Sequence, residues 1–316
     1  MADEVELSFV IPVFNGAKSI TSVVEGIVAG YDDLKIEIVL VNDGSVDDSE
    51  TVCSELQVKY PAKCTFVNLA KNFGEHNAVL AGLAVTSGAY VAILDDDGQN
   101  PPEEVRKMYR SAIDDGWDAV YGNYRTTEQS RFRRCGSYFS NWVATILLKK
   151  PKDLYLSSFR VINRFLVEQV TTYNGAFPYI DGLILRSTTN ISQVPVEHRP
   201  RTEGTSNYTL RRLVALWVNS VLSFSIRPLR LAAIVGAVVS FSSALMFVAI
   251  IVDKIYFNQD VAVGVPTILS TIVFFSGFQL LILGTIGEYL GRVFLDQSNY
   301  PQYVVRYSKL RTQNNE

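Results

Sequence analysis

The first part of the chain is predicted to form an α/β domain on a doubly wound, mostly parallel sheet. Three observations carry this: four short apolar, β-branched runs, a polar turn closing each, and helical periodicity in between. Leu7 to Val13 (LSFVIPV) is apolar throughout, as a central parallel strand covered on both faces must be, and Phe14-Asn15-Gly16 ends it. An amphipathic pattern from Ser19 to Val28 follows. Ile36 to Val41 is a second strand, ended by Asn42-Asp43-Gly44-Ser45, and Asp47, Asp48 or Ser49 is placed to cap a helix running toward Lys59. Cys64 to Leu69 is a third strand, then comes a polar stretch, Asn72 to Asn77, and a helix from Ala78 to about Thr86. Val91 to Leu94 is a fourth strand, a helix is expected from near Pro102, and Trp117 to Tyr121 is a fifth strand.

The chain has 316 residues, 48% of them hydrophobic, with a formal net charge of −3. Near-neutral charge gives no reason to expect a nucleic-acid partner. Three cysteines, Cys53, Cys64 and Cys135, lack metal-ligand spacing and read as reduced thiols. The acidic start enters a strand at once, so no cleaved signal peptide is expected.

The most informative stretch is Val91 to Val105, where Asp95, Asp96 and Asp97 follow the fourth strand. Parallel strands present their C-terminal ends on one edge, where such sheets place ligands, so this triplet and Asp43 share a crevice. Adjacent like charges repel, and hard oxygen donors at a strand end suit Mg²⁺ or Mn²⁺ held together with substrate phosphates. The alternative is an acidic turn stabilising the helix N-terminus. Asp43 is suited to accept a hydrogen bond from a base N–H or ribose hydroxyl, or else to form an Asx turn before Gly44. His76 reads as a polar side chain fixing its loop rather than as a catalyst.

Taken together, SFVIPVFNG, VNDGSVDDS, NFGEHNAVLAGL, LDDDGQNPPEEV and HRPRTEGTSNY resemble family 2 glycosyltransferases of the polyprenyl-phosphate branch, over nearly the whole chain. The resemblance implies a GT-A-like domain and inversion at a sugar transferred from a nucleotide-diphosphate donor, for instance a UDP-sugar such as UDP-glucose, to undecaprenyl or dolichyl phosphate. It assigns nucleotide contacts to Pro12, Val13, Asn15 and Asp43, the family's D-x-D pattern to Asp95 and Asp97 with Asp96 beside the substrate, and the metal to Asp97 and Gln99. Gly16 and Asn42 depart from the family, which often has Glu and Asp there. The basic 125–152 section with Arg131 reads either as a solvated face or, in this architecture, as a surface near the membrane and its lipid-phosphate acceptor. On the acceptor side the resemblance points to Arg160 in DLYLSSFRVIN, where Ser158 replaces an Asp of some relatives. A phosphate monoester, with a second pKa of about 6, is largely ionised at neutral pH and needs no side-chain base. Arg201 and Ser206 are the expected phosphate-binding residues of the later loop, Arg201 in a catalytic role beside Asp95 and Asp97.

Residues 1–208 are therefore expected to be a cytosolic transferase domain and 209–228 an interfacial amphipathic helix. A two-helix transmembrane hairpin is expected over 229–290, and a cytosolic tail over 291–316. The apolar segments near 231–252 and 261–286 each reach the roughly 20 residues needed to span a bilayer. Arg227 and Arg230 before the first, and Arg292, Arg306, Lys309 and Arg311 after the second, put both ends in the cytoplasm of a bacterial inner membrane. Gly277, Gly284, Gly287 and Gly291 suggest close helix contact in a homo-oligomer, with a tetramer as one form. Two other readings compete. A processive polysaccharide synthase is disfavoured by the missing Q-x-x-R-W, and a non-catalytic scaffold or lipid translocator by the intact triplet.

Overall fold

The computed structural model describes residues 5–124, 154–175, 178–197, 199, 265–297 and 301–312, with isolated helical positions at 234, 238, 241 and 242. The chain divides into Met1–Val214 with Asn299–Glu316, and Ala215–Ser298.

In the first unit the strands are β1 (Leu7–Val13), β2 (Ile36–Asn42), β3 (Cys64–Leu69), β4 (Tyr90–Ile93), β5 (Ala119–Tyr124), β6 (Arg160–Asn163), β7 (Ile191–Val196) and β8 (Val305–Lys309). Among the described residues they form one sheet in the order β7-β5-β6-β4-β1-β2-β3-β8. Strands β1 to β4 are mutually parallel where they pair, and β5 pairs in parallel with β7. β6 lies antiparallel between β4 and β5, and β8 lies antiparallel on β3.

The helices are α1 (Ile20–Gly30), α2 (Ser49–Lys59), α3 (Glu75–Leu83), α4 (Pro102–Asp114), α5 (Arg164–Thr171) and α6 (Ile180–Ser187). Side chains alternate across β1, so Phe9 and Ile11 join the core formed with Val23, Val24 and Ile27 of α1 and Met108 of α4, whereas Val10 faces α3. Gly82 lets α3 lie close to the sheet: a Cβ there would stand 2.5 Å from Val10 Cγ1. Pro102 begins α4, where its missing N–H costs nothing, and Glu103 and Glu104 complement the helix N-terminus.

Several expectations are corrected. α3 starts at Glu75 instead of Ala78, because Asp43 binds the N–H groups of Phe73 and Gly74 and closes the preceding turn early. β5 extends to Tyr124 because it pairs with β7 to that point. Residues 301–312 of the expected tail pack on the catalytic sheet, where β8 forms its outer edge. The Tyr307 ring covers Phe66 edge-on at 5.9 Å and its hydroxyl donates to Glu50 Oε1 (2.8 Å). Arg311 Nε lies 3.1 Å from Oε2 of the buried Glu37.

The second unit contains α7 (Val265–Gln297), an apolar helix that runs past the expected end of the hairpin at residue 290. Its segment Phe278–Leu295 is long and apolar enough to cross a membrane. The 209–228 helix and nearly all of the first apolar segment lie outside the described residues.

Tyr307→Ala removes an aromatic pair and a hydrogen bond, so it is expected to cost about 1–2 kcal/mol in chemical denaturation with little change in denaturant slope. An unchanged midpoint would mean that β8 contributes nothing to the sheet.

Candidate active site

The loops after β1 and β2 lie at one edge of the sheet and are stitched together. Asn15 adopts the left-handed conformation (φ 57°), donating its N–H to Ser45 Oγ (3.0 Å) and accepting from Val46 N–H through Oδ1 (3.0 Å). Gly16 N–H reaches Ser49 Oγ (2.9 Å) and Ala17 N–H reaches Asp47 Oδ2 (3.2 Å). Asp43 is only 2% exposed, and its two oxygens accept from Phe73 N–H (2.7 Å) and Gly74 N–H (2.9 Å). It therefore shapes the crevice from below instead of facing it as an open acceptor. The side chain closing the β2 turn is also not Asp43 but Asn42, whose Oδ1 accepts from Ser45 N–H (3.3 Å). Val13 is corrected as well: it is fully buried in the core, so its side chain touches no ligand, whereas Pro12 is half-buried.

The three carboxylates after β4 are all half-buried, and each is held differently. Asp95 Oδ2 accepts from Asn100 Nδ2 (3.0 Å) and from Ser158 Oγ (2.8 Å), and the Tyr124 hydroxyl fixes Asn100 (2.7 Å). Asp96 turns back to β1, where Oδ2 accepts from Phe14 N–H (3.1 Å). A Cβ at Gly16 would stand 2.2 Å from that oxygen, so the absence of a side chain at residue 16 makes room for Asp96. Asp97 Oδ1 accepts from Gln99 N–H (3.1 Å), and Gln99 exchanges backbone and side-chain bonds with Arg199. Burial pushes Asp95 up, with the Asp97 charge adding to the rise, and pushes Asp96 up to about 7 with help from both neighbours. Three adjacent carboxylates concentrate negative charge at the end of β4.

Behind the triplet lies a buried polar cluster. Arg160 is 1% exposed, pairs with Asp181 of α6, and has its guanidinium 5.9 Å from the centre of the Tyr121 ring. Tyr121 also donates to Asp181 Oδ1 (3.0 Å). Arg160 is thus not placed to touch a substrate: its charge is consumed inside the protein, and its backbone pairs with Ile93 of β4. His76 stands edge-on to Tyr179 at 5.0 Å with Nδ1 buried and unpartnered, and burial pushes its pKa down to about 4. The loop-fixing expected of His76 falls to Asn77, whose Nδ2 donates to Phe73 O (2.7 Å). Glu75 is exposed at the crevice. The protein around its carboxylate pushes it up to about 7, Asp95 adds to this and Arg160 opposes it.

Glu75, Tyr179 and Asp181 carried no assignment from sequence. The first sits in the quoted NFGEHNAVLAGL stretch, but only the packing of α3 against the crevice sets its role. Arg131, Arg201 and Ser206 lie outside the described residues.

Among the described residues, no group of three or more His, Cys, Asp or Glu side chains forms a protein cage for a metal. The site fits a divalent ion in the other way, with one or two carboxylates and the rest of the shell from phosphates and water, because Asp97 and Gln99 stand half-buried in a crevice with excess negative charge.

The C-terminal edge of the strands, with its two interlocked loops and its row of acidic residues, defines a GT-A-like domain. The chain belongs to glycosyl transferase family 2, which matches residues 8–171, and it is a glycosyltransferase. More particularly, it is 32% identical over 306 residues to the undecaprenyl-phosphate 4-deoxy-4-formamido-L-arabinose transferase of Serratia proteamaculans (strain 568), covering 95% of this chain and 93% of that one. Identity to the protein of the same name from Yersinia enterocolitica is 31% over 305 residues, with the same coverage. Among solved structures it is similar to glucosyl-3-phosphoglycerate synthase from Mycobacterium tuberculosis in complex with Mn²⁺ and uridine-diphosphate-glucose. That match has a TM-score of 0.52 at 22% identity, covers 69% of this chain and 77% of that one, and is a likeness of fold.

Gly16→Ala should destabilise the protein by about 1–3 kcal/mol through overpacking on Asp96, and adding Asp96→Ala should recover most of that loss. Strictly additive denaturation energies would mean that the two positions are not in contact. A second expectation concerns pH. His76 has a folded-state pKa of about 4 against an ordinary 6.5, so the unfolded chain binds more protons between these values and stability falls as pH drops through that window. Glu75, raised to about 7, tilts the opposite way: its contribution is present below its ordinary 4.5 and lost as pH rises through about 7. The His76→Phe variant, compared with its parent from pH 7 to pH 4, should therefore lose less stability; parallel curves would contradict the buried neutral imidazole.

Proposed function

We propose that the protein is a membrane-bound inverting transferase that moves a sugar from a UDP-sugar to undecaprenyl phosphate. The observation that carries this reading is the Asp95–Asp97 triplet held against the β1 loop, in a chain whose relatives match over 95% of its length and are named for that acceptor. The uridine nucleotide is supported by the donor bound in the solved structure of similar fold.

In this reading Pro12 and Asn15 line the nucleotide side, and Asp43 keeps the Phe73–Gly74 backbone in place beneath it. Asp97 and Gln99 would hold Mg²⁺ or Mn²⁺ together with the donor diphosphate. When bound, the ion supplies positive charge that offsets the charge developing on the departing nucleoside diphosphate. Asp96 is committed to Phe14 N–H and supports the floor of the site. Asp95, fixed by Ser158 and Asn100, faces the sugar side. The acceptor phosphate is already anionic near neutral pH, so its oxygen attacks the anomeric carbon from the face opposite the leaving group without passing a proton to the enzyme. That matches Ser158, a residue with no basic function, standing where some relatives have an acid. Arg201 and Ser206 are proposed for the phosphates and Arg131 for the lipid-facing side.

Membrane attachment is supported by chain connectivity. β1 to β7 precede the inserted unit and β8 follows it, yet all eight strands share one sheet. Any membrane crossing between residues 197 and 301 must therefore be repeated in the opposite sense, and the number of crossings is even. A two-helix hairpin with α7 as its second member satisfies this, with the catalytic unit on the cytoplasmic side as Arg227, Arg230 and Arg292 favour. Arg306, Lys309 and Arg311 are engaged on the catalytic sheet, so they are not free membrane anchors. Along α7, a Cβ at Gly284, Gly287 or Gly291 would meet nothing within 4 Å, which leaves room for close helix packing in a homo-oligomer.

Transfer of radiolabelled sugar into undecaprenyl phosphate, run across a panel of nucleotide sugars, tests the reading. UDP-linked donors should label the lipid, EDTA should stop the reaction, and Asp97→Asn should abolish it in a folded protein. Full turnover in excess EDTA, or labelling from every donor except UDP-sugars, would overturn it.

A further inference from the structure

Gln302 follows α7 in sequence and binds the loop that leaves α5. Its single Nε2 donates both hydrogens, one to Tyr173 O (2.6 Å) and one to Gly175 O (2.9 Å). These carbonyls lie just past Thr172, the C-cap of α5. The loop is tightly folded there, since a Cβ at Gly175 would stand 2.2 Å from the Tyr173 hydroxyl. Shortly beyond it in the chain come Tyr179, edge-on to His76, and Asp181, which holds Arg160. Arg160 opens β6 beside Ile93 of β4, and Ser158, two residues earlier, donates to Asp95. The loop that Gln302 binds thus leads along the chain into the segment whose Asp181 pairs with Arg160, behind the Ser158–Asp95 wall.

We propose that Gln302 is a positioning residue through which the segment returning from α7 sets the acceptor-side wall of the crevice. The proposal rests on the transferase reading above. The donor-side β1 and β2 loops are held by their own bonds, Asn15 to Ser45 and Val46 and Asp96 to Phe14, so the clamp acts more on the acceptor than on nucleotide binding.

Gln302→Glu keeps size and shape but replaces the two donors by an acceptor facing two carbonyls, whereas Gln302→Lys keeps donors at similar reach. Both are made in the full-length membrane protein. For Gln302→Glu the expected result is a loss of about tenfold or more in kcat/KM for undecaprenyl phosphate, roughly the effect of two hydrogen bonds, with the KM for the UDP-sugar nearly unchanged. Gln302→Lys should restore most of the loss. Hydrogen exchange of the 172–175 amides, which needs no activity, should be faster in the Glu variant and close to wild type in the Lys variant. Equal acceptor kinetics in all three proteins, or a donor KM that rises as much as the acceptor KM, would overturn the proposal. If the wild-type chain transfers no sugar to undecaprenyl phosphate, the function reading fails, and the exchange measurement then decides the clamp by itself: unchanged protection in the Glu variant overturns it.

Discussion

Confinement of three carboxylates to the end of one short buried strand is the constraint on which the rest of this structure depends. β4 must be apolar on both faces because helices cover it, and Asp95 to Asp97 can reach solvent only where the strand stops. Each acid is then managed differently. Asp95 accepts hydrogen bonds from Ser158 and Asn100, Asp96 from a backbone amide of the β1 loop, and Asp97 from the backbone of Gln99. Gly16 is a consequence of this arrangement, since the Asp96 carboxylate occupies the space a side chain would need. The same crowding that raises the pKa of Asp96 suits a site completed by a divalent ion and a diphosphate.

A second layer of the design lies behind the triplet. Arg160 is buried with Asp181 and two tyrosines, an arrangement in which losing either charge alone would leave the other uncompensated in a medium that solvates it poorly. Such a cluster is weak evidence for net stability, but it fixes one geometry for the β6 entry, and through Ser158 that geometry reaches Asp95. Arg160 therefore serves the site by holding the wall, and the substrate-facing role expected from its motif belongs elsewhere.

β8 makes the fold of the catalytic unit depend on residues that follow the inserted helices. A β3 edge without β8 would expose backbone groups and the Phe66 ring, the liability that sheet edges generally carry. Arg311 bound to the buried Glu37 and Gln302 bound to the loop after α5 tie the chain that follows α7 into the catalytic unit.

Local pattern was enough for the first four strands, for their helices to within a few residues, and for the position of the acidic triplet, because periodicity and strand-end turns are properties of neighbouring residues. The family was also legible, since its motifs lie at those strand ends. What tertiary structure alone decided are relations between distant residues. β6 runs antiparallel between β4 and β5, β8 returns from beyond α7, Asp43 and Arg160 are buried in internal pairings, Tyr179 and Asp181 join the site from an element with no motif of its own, and Glu75 joins it from a motif that gave it no role. Sheet order and side-chain pairing are chosen by long-range burial, where a residue's partner depends on how the whole chain packs, so no window of sequence contains them.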